Sequence, residues 1–218
     1  MTFLSSIPKI TTVMLAAGQS SRFDGAKLAA LVSGPEVNDP DVQAKNQSLL
    51  AHSLDELTQA TEQMGMDKPV VMLGGHKDTL LPLLPSNTEY LVNPDWQTGI
   101  GSSVAMAAEY AQAQHADALL LSLADQVAIT QQHYMSLFRV FCLFGQTTAA
   151  YYQQTPGVPA IFLSEDFQQL QQLPGDAGAK KLLLQHLSNQ SLAVLPLEQA
   201  AIDIDTKADL NWWLANKE

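Results

Sequence analysis

The chain has 218 residues, 46% hydrophobic and 15% charged, a globular balance with length for one sizeable core rather than a disordered segment. Its formal net charge of -11 disfavours nucleic acid as a partner, since a phosphate backbone is bound through a basic face, whereas a nucleotide needs only a local cluster of positive groups. The single cysteine, Cys142, excludes a disulfide framework and a cysteine zinc site, and its place in the apolar run Leu137–Phe144 predicts a buried packing residue.

Met1–Lys9 carries no basic n-region and no long apolar core, so no signal peptide and no membrane span are expected, and the expected location is cytoplasmic. The first predicted strand is Val13–Ala17, ended by Gly18 and the small polar residues Gln19, Ser20 and Ser21. Small residues let backbone N–H groups approach a ligand, and with a helix N-terminus behind them they attract anions. Arg22 and Lys27 add fixed positive charge there. Ser33–Lys45, with Gly34, Pro35, Asn38 and Pro40, reads as a surface loop.

Asn46–Met64 has helical spacing in Leu49, Leu50, Leu54 and Leu57, and Val70–Leu73 is a second strand ended by Gly74, Gly75 and His76. Tyr90–Asn93 is a short third strand, followed by a turn-rich loop and an alanine-rich helix over Val104–Gln114. Ala118–Ala124 is the most apolar strand, as expected of one covered on both faces. Beyond it the pattern predicts a helix at Gln131–Phe144, strands at Thr147–Tyr152 and Pro159–Leu163, and helices at Glu165–Gln172 and Ala177–Leu187. Extended segments at Leu192–Leu197 and Ala201–Asp205 and a closing helix at Lys207–Ala215 complete the chain. Strands alternating with helices imply an α/β fold with a mainly parallel sheet and helices on both faces. No linker interrupts the pattern, so one domain over residues 1–218 is expected.

In such sheets ligands bind outside the carboxyl ends of the strands, which brings Gly18, Gly74, Gly75 and Asp125 to one edge. Asp125 follows the most apolar strand directly, where a carboxylate can project toward a magnesium ion held also by phosphate oxygens. A second carboxylate is available in Ala201–Thr206, where alternation points Asp203 and Asp205 to one face. Asp205 is the preferred second ligand and Asp203 its substitute. Plainer roles are open elsewhere: packing for Trp96, a helix cap for Asp176, caps at a helix start for Ser102 and Ser103, an ordinary hydrogen bond for His76, and core packing or a subunit contact for Trp212 and Trp213.

The string Leu15-Ala-Ala-Gly-Gln-Ser-Ser-Arg22 with Gly25 and Lys27 resembles the signature of the molybdenum-cofactor cytidylyltransferases and their guanylyltransferase relatives, the MobA-like NTP transferases. The resemblance extends through Asn93/Trp96/Gly99/Ser102/Ser103, Leu123–Gln126, Pro156–Phe162, Gly175–Lys180 and Asp203–Thr206, with Val127 where proline is usual and Lys180 where arginine is frequent. It implies a Rossmann-like three-layer sandwich of the nucleotide-diphospho-sugar transferase type, in which the Ser33–Lys45 loop is an insertion. It implies catalytic roles for Arg22, Lys27 and Asp125, and nucleotide contacts from Leu15, Ala16, Ala17, Gly18, Arg22, Lys27, Gly74, Gly75 and Ser103. It further implies Mg2+ at Asp125 and Asp205. The L-A-A-G form, with Gly74-Gly75-His76, points to the cytidylyl branch: CTP as donor, a phosphorylated molybdopterin as acceptor, and a molybdenum hydroxylase as recipient of the product. The alternatives are a guanylyl- or sugar/polyol-phosphate nucleotidyltransferase, or a non-catalytic nucleotide- or cofactor-binding chaperone.

Overall fold

The structure, a computed structural model, describes residues 8–20, 22–33 and 46–216. In chain order it contains β1 (Ile10–Ala16), β2 (Leu31–Ser33), β3 (Asn46–Ser48), α1 (Leu49–Gln63), β4 (Val70–Leu73), α2 (Lys77–Leu80), β5 (Tyr90–Val92) and α3 (Ile100–Ala113). It continues through β6 (Ala118–Leu123), α4 (Gln131–Phe144), β7 (Thr148–Tyr152), β8 (Thr155–Leu163), α5 (Phe167–Gln171), α6 (Lys180–Ser188), β9 (Ala193–Pro196) and α7 (Lys207–Asn216).

Seven strands form one sheet in the order β5-β4-β1-β6-β8-β7-β9. β8 runs antiparallel to both neighbours and every other pair is parallel. The alternation along β1 explains the layering. Ile10, Met14 and Ala16 face a cluster built with Leu49, Leu57, Leu120 and Tyr134 from α1, β6 and α4. Val13, Leu15 and Ala17 face the other cluster, with Ala107, Leu119, Phe162 and Leu183. Both faces of the sheet are therefore covered, which is why its central strands read as continuous apolar runs. Each leucine buried there contributes about 1.5–3 kcal/mol of transfer free energy. The architecture is a Rossmann-like three-layer sandwich, as expected.

Several boundaries differ from those the sequence suggests. Asn46–Ser48 is not the start of a helix but a strand antiparallel to β2. The helix begins at Leu49 because the Ser48 hydroxyl accepts from the Ala51 N–H at 3.1 Å. α3 starts earlier than its apolar periodicity indicates, at Ile100. α6 starts at Lys180, so Asp176 does not cap it. Ala201–Asp205 is not a strand: a 3-10 turn spans Glu198–Ala201 and the remainder pairs with no sheet. Cys142 is only partly buried against the core. At the C-terminal helix Trp213 packs against the core, whereas Trp212 is 55% exposed. Residues 34–45, most of the expected insertion, lie outside the described residues. Among the described residues, no helix is long and apolar enough to cross a membrane.

Leu57 is fully buried in the helix packed on the β1 face. Leu57→Ala should lower the unfolding free energy by about 2–5 kcal/mol, read as a lower urea midpoint with an unchanged slope.

Candidate active site

The carboxyl ends of β1 and β6 lie side by side, with Leu15 opposite Leu123. Beyond β1 the chain turns at Gly18, where an added Cβ would meet nothing within 4 Å. Ser20 adopts a positive φ of 56°, its carbonyl accepts from the Phe23 N–H at 2.9 Å, and Phe23 is buried. That buried phenyl anchors the loop and leaves Arg22 projecting outward. The segment does not continue into an α-helix: Lys27 opens a 3-10 turn, Lys27–Ala29, pinned by buried Leu28. Positive charge at this turn therefore comes from side chains rather than from the N-terminus of a long helix.

The two carboxylates come from distant points of the chain and meet here. The Ala124 N–H donates to the Leu15 carbonyl at 3.1 Å, and the Ser53 hydroxyl donates to the Ala124 carbonyl at 3.0 Å, fixing the backbone before Asp125. The Ile204 N–H then donates to the Asp125 carbonyl at 3.1 Å, and the Ile204 side chain is buried. This single backbone bond draws Asp205 in beside Asp125. Behind it, Thr206 and Asp209 cap α7 reciprocally: the Thr206 N–H donates to Asp209 Oδ2 at 2.7 Å and the Asp209 N–H to the Thr206 hydroxyl at 3.2 Å.

Lys27 Nζ lies between the acids, 2.6 Å from Asp125 Oδ2 and 2.7 Å from Asp205 Oδ1, and Arg22 pairs with Asp205 Oδ2. Burial alone would lower the Lys27 pKa. The Asp125 carboxylate first, then that of Asp205, outweigh it and hold the ammonium above its ordinary 10.5. Asp203, the reserve ligand, is exposed and makes no contact with Lys27 of this kind. Partial burial, followed by repulsion from Asp205 and Asp125, raises its pKa above 3.8.

Arg22, Lys27, Asp125 and Asp205 line a cavity of ≈ 580 Å³, and Asp203 is not among its lining residues. Of the residues nominated from sequence, Leu15, Ala16, Ala17, Gly18, Arg22, Lys27, Ser103, Asp125 and Asp205 all line it. Gly74 and Gly75 do not. A Cβ on Gly74 would stand 2.6 Å from the Ala17 carbonyl oxygen, and one on Gly75 would stand 3.0 Å from the Trp96 ring. These glycines let the turn after β4 pack against Ala17 and Trp96 rather than enter the cavity. His76 Nε2 is hydrogen-bonded to the Gln19 carbonyl at 2.7 Å, the ordinary role expected of it.

The opposite wall carries Trp96 and Gly99 of the family's loop string, together with Gln97 and Ile100, which sequence reasoning left out. Buried Asn93 holds this wall. Its Nδ2 donates to the Ser102 and Ser103 hydroxyls at 2.8 and 2.9 Å, and its Oδ1 accepts from the Asp95 N–H at 2.9 Å. The serines therefore brace the loop instead of capping the helix. Gly99 has φ 115° and its missing side chain admits the Gly175 backbone, while the Gly101 N–H donates to the Gly175 carbonyl at 2.7 Å. Two motifs far apart in sequence are thus one interlocked structure. Gln126 is also buried, donating to the Val158 and Ala200 carbonyls at 2.9 and 2.8 Å, which ties the turn after Asp125 to the segment leading toward Asp205.

The residues present fit a hard divalent cation. Asp125 Oδ1 is buried without a hydrogen-bond partner, and a second carboxylate stands beside it. Among the described residues no group of three or more potential ligands gathers, and magnesium commonly takes only one or two carboxylates, filling its remaining positions with water and phosphate oxygens.

Residues 12–190 match the family model of the MobA-like NTP transferase domain, and the chain belongs to that family. It is 27% identical over 183 residues to the purine catabolism protein PucB of Bacillus subtilis (strain 168), covering 81% of each chain. Rv0371c of Mycobacterium tuberculosis H37Rv has the same fold, with a TM-score of 0.71 and 22% identity over 96% of this chain and 100% of the other. Its complex with manganese gives a TM-score of 0.67 over 95% and 99% at the same 22% identity. The 4-diphosphocytidyl-2C-methyl-D-erythritol synthase of Anaerococcus prevotii DSM 20548 gives a TM-score of 0.68 at 12% identity, covering 95% of each chain. The fold and the family are those of nucleotidyltransferases.

Gly99→Ala should cost about 1–3 kcal/mol, because its backbone conformation is nearly glycine-only and the Gly175 backbone fills the space; Gly18→Ala should stay within about 0.5 kcal/mol of wild type. Thermal or urea unfolding of the pair checks the contrast. For Asp203 the folded pKa is raised, so its effect on stability turns unfavourable as pH rises from 3.8 through the folded value. Asp203→Asn should therefore raise the urea midpoint at neutral pH and leave it unchanged below pH 3.8.

Proposed function

We propose that this protein is a magnesium-dependent nucleotidyltransferase that transfers CMP from CTP to a phosphorylated small molecule, the molybdopterin cofactor, and releases pyrophosphate. The observation that carries the reading is the meeting of Asp125 and Asp205 over one cationic group at the glycine turn. An oxygen of the acceptor phosphate attacks the α-phosphorus of CTP. The new O–P bond forms as the bond to the bridging oxygen breaks, and pyrophosphate takes the electron pair. The attacking oxygen is already anionic, so no general base is required.

The chain's own groups supply position and charge, the main resources in phosphoryl-type transfer. The turn at Gly18 receives the triphosphate, and Arg22 and Lys27 neutralise it. Magnesium, when bound by Asp125 and Asp205, would offset charge that builds on the phosphate oxygens. Ser103 and the Trp96–Ile100 wall close the nucleoside side of the cavity. The manganese complex of Rv0371c supports a divalent cation in this fold. The L-A-A-G string, through the family resemblance it carries, favours the molybdopterin acceptor, with a molybdenum hydroxylase as recipient, in the cytoplasm.

Asp125→Ala should retain the wild-type circular dichroism and unfolding cooperativity. It should lose at least about a hundredfold in pyrophosphate release with CTP, magnesium and acceptor, the scale of removing one electrostatic stabiliser. Turnover near wild type would refute the metal assignment. Calorimetry with the four nucleoside triphosphates separates CTP from GTP, and a tight CTP complex that forms no pyrophosphate with any acceptor would indicate a binding protein.

A further inference from the structure

Lys27 holds a position that a divalent cation would also favour. Its ammonium takes one oxygen from each acid, Asp125 Oδ2 and Asp205 Oδ1, while Arg22 takes the other oxygen of Asp205. Three of the four carboxylate oxygens are thus engaged by side-chain cations, and the fourth, Asp125 Oδ1, is buried without a partner. The two acids and two bases already balance in charge. A dication bound to both carboxylates would stand beside the ammonium, and at such distances like charges repel strongly in a partly buried site. Both would fit only if new negative charge arrived or the ammonium moved.

The backbone of Lys27 is not free to move. The Ala30 N–H donates to its carbonyl at 3.0 Å, and neighbouring Leu28 is buried. Its side chain, however, is long and rotatable, and it lines the same cavity as Gly18 and Arg22. A triphosphate at the glycine turn would give Lys27 and Arg22 new acceptors within that cavity.

We propose that Lys27 is an internal counter-ion that changes partners, releasing the two carboxylates to a divalent cation when the phosphates of a nucleotide arrive. The proposal rests on the magnesium reading given above. Metal and nucleotide then bind cooperatively, and the protein alone binds the metal poorly. Removing the ammonium abolishes the competition, although it weakens nucleotide binding. This sign is opposite to that expected if Lys27 only supports the site, since loss of a supporting group would loosen the metal.

The test is Mn2+ binding without nucleotide, followed by electron paramagnetic resonance of the free ion, for the wild type, Lys27→Met and Lys27→Gln. Circular dichroism reports folding. Either folded variant should bind Mn2+ about tenfold or more tightly than wild type, the ordinary scale of site coupling. Equal or weaker binding overturns the proposal. Asp125→Asn added to the tighter variant should abolish the gain. If the gain survives, the metal is not at Asp125, and the functional reading fails as well. The wild type gives a check that needs no variant. A nonhydrolysable CTP analogue should raise Mn2+ affinity for the protein about tenfold or more beyond the analogue's own metal binding. An absence of such coupling overturns the partner exchange while leaving the metal site itself intact.

Discussion

The contact between the Ile204 N–H and the Asp125 carbonyl, 3.1 Å long, joins the end of the central strand to a segment nearly eighty residues later in the chain. It matters because two carboxylates repel each other unless the backbone fixes them and a cation lies near. Here the backbone bond sets the approach, buried Ile204 anchors it, and Lys27 supplies the charge. Gln126 braces the same approach through its two carbonyl acceptors. The approach of the two carboxylates is therefore set largely by main-chain geometry.

The sheet explains why such an assembly occurs at this edge. Parallel strands deliver their carboxyl ends to one side, and β1 and β6 are neighbours there. The glycine turn and Asp125 are consequences of that adjacency. The opposite wall is built differently, from loops locked through backbone contact between Gly99, Gly101 and Gly175. One wall is anchored by strands and carries charge, and the other is anchored by loop packing and carries Trp96 and Ile100. That asymmetry suits a ligand with an ionic end and an apolar, planar end.

Much of this was legible in the residues. Val70–Leu73 and Gln131–Phe144 have the bounds that their apolar patterns indicate, because burial on one or both sides dictates those patterns. Leu15 to Gly18, Arg22, Lys27, Ser103, Asp125 and Asp205 converge on one cavity, as strand-end topology and the family resemblance imply. What was hidden depends on tertiary partners. The glycines at 74 and 75 look like a second ligand turn, but their openness serves Ala17 and Trp96. The acids near the C-terminus read as an extended segment, yet the chain leaves the sheet after β9 and is held by the Ile204 bond to Asp125 and the Gln126 bond to Ala200. Ser48 was a readable cap signal that helical spacing obscured.

The most direct measurement is a crystal of the protein with a nonhydrolysable CTP analogue and Mn2+, examined by anomalous scattering. The account predicts one manganese peak within coordination distance of carboxylate oxygens of both Asp125 and Asp205, with the triphosphate at the Gly18 turn. A peak held by other residues, or a triphosphate bound away from that turn, would contradict it.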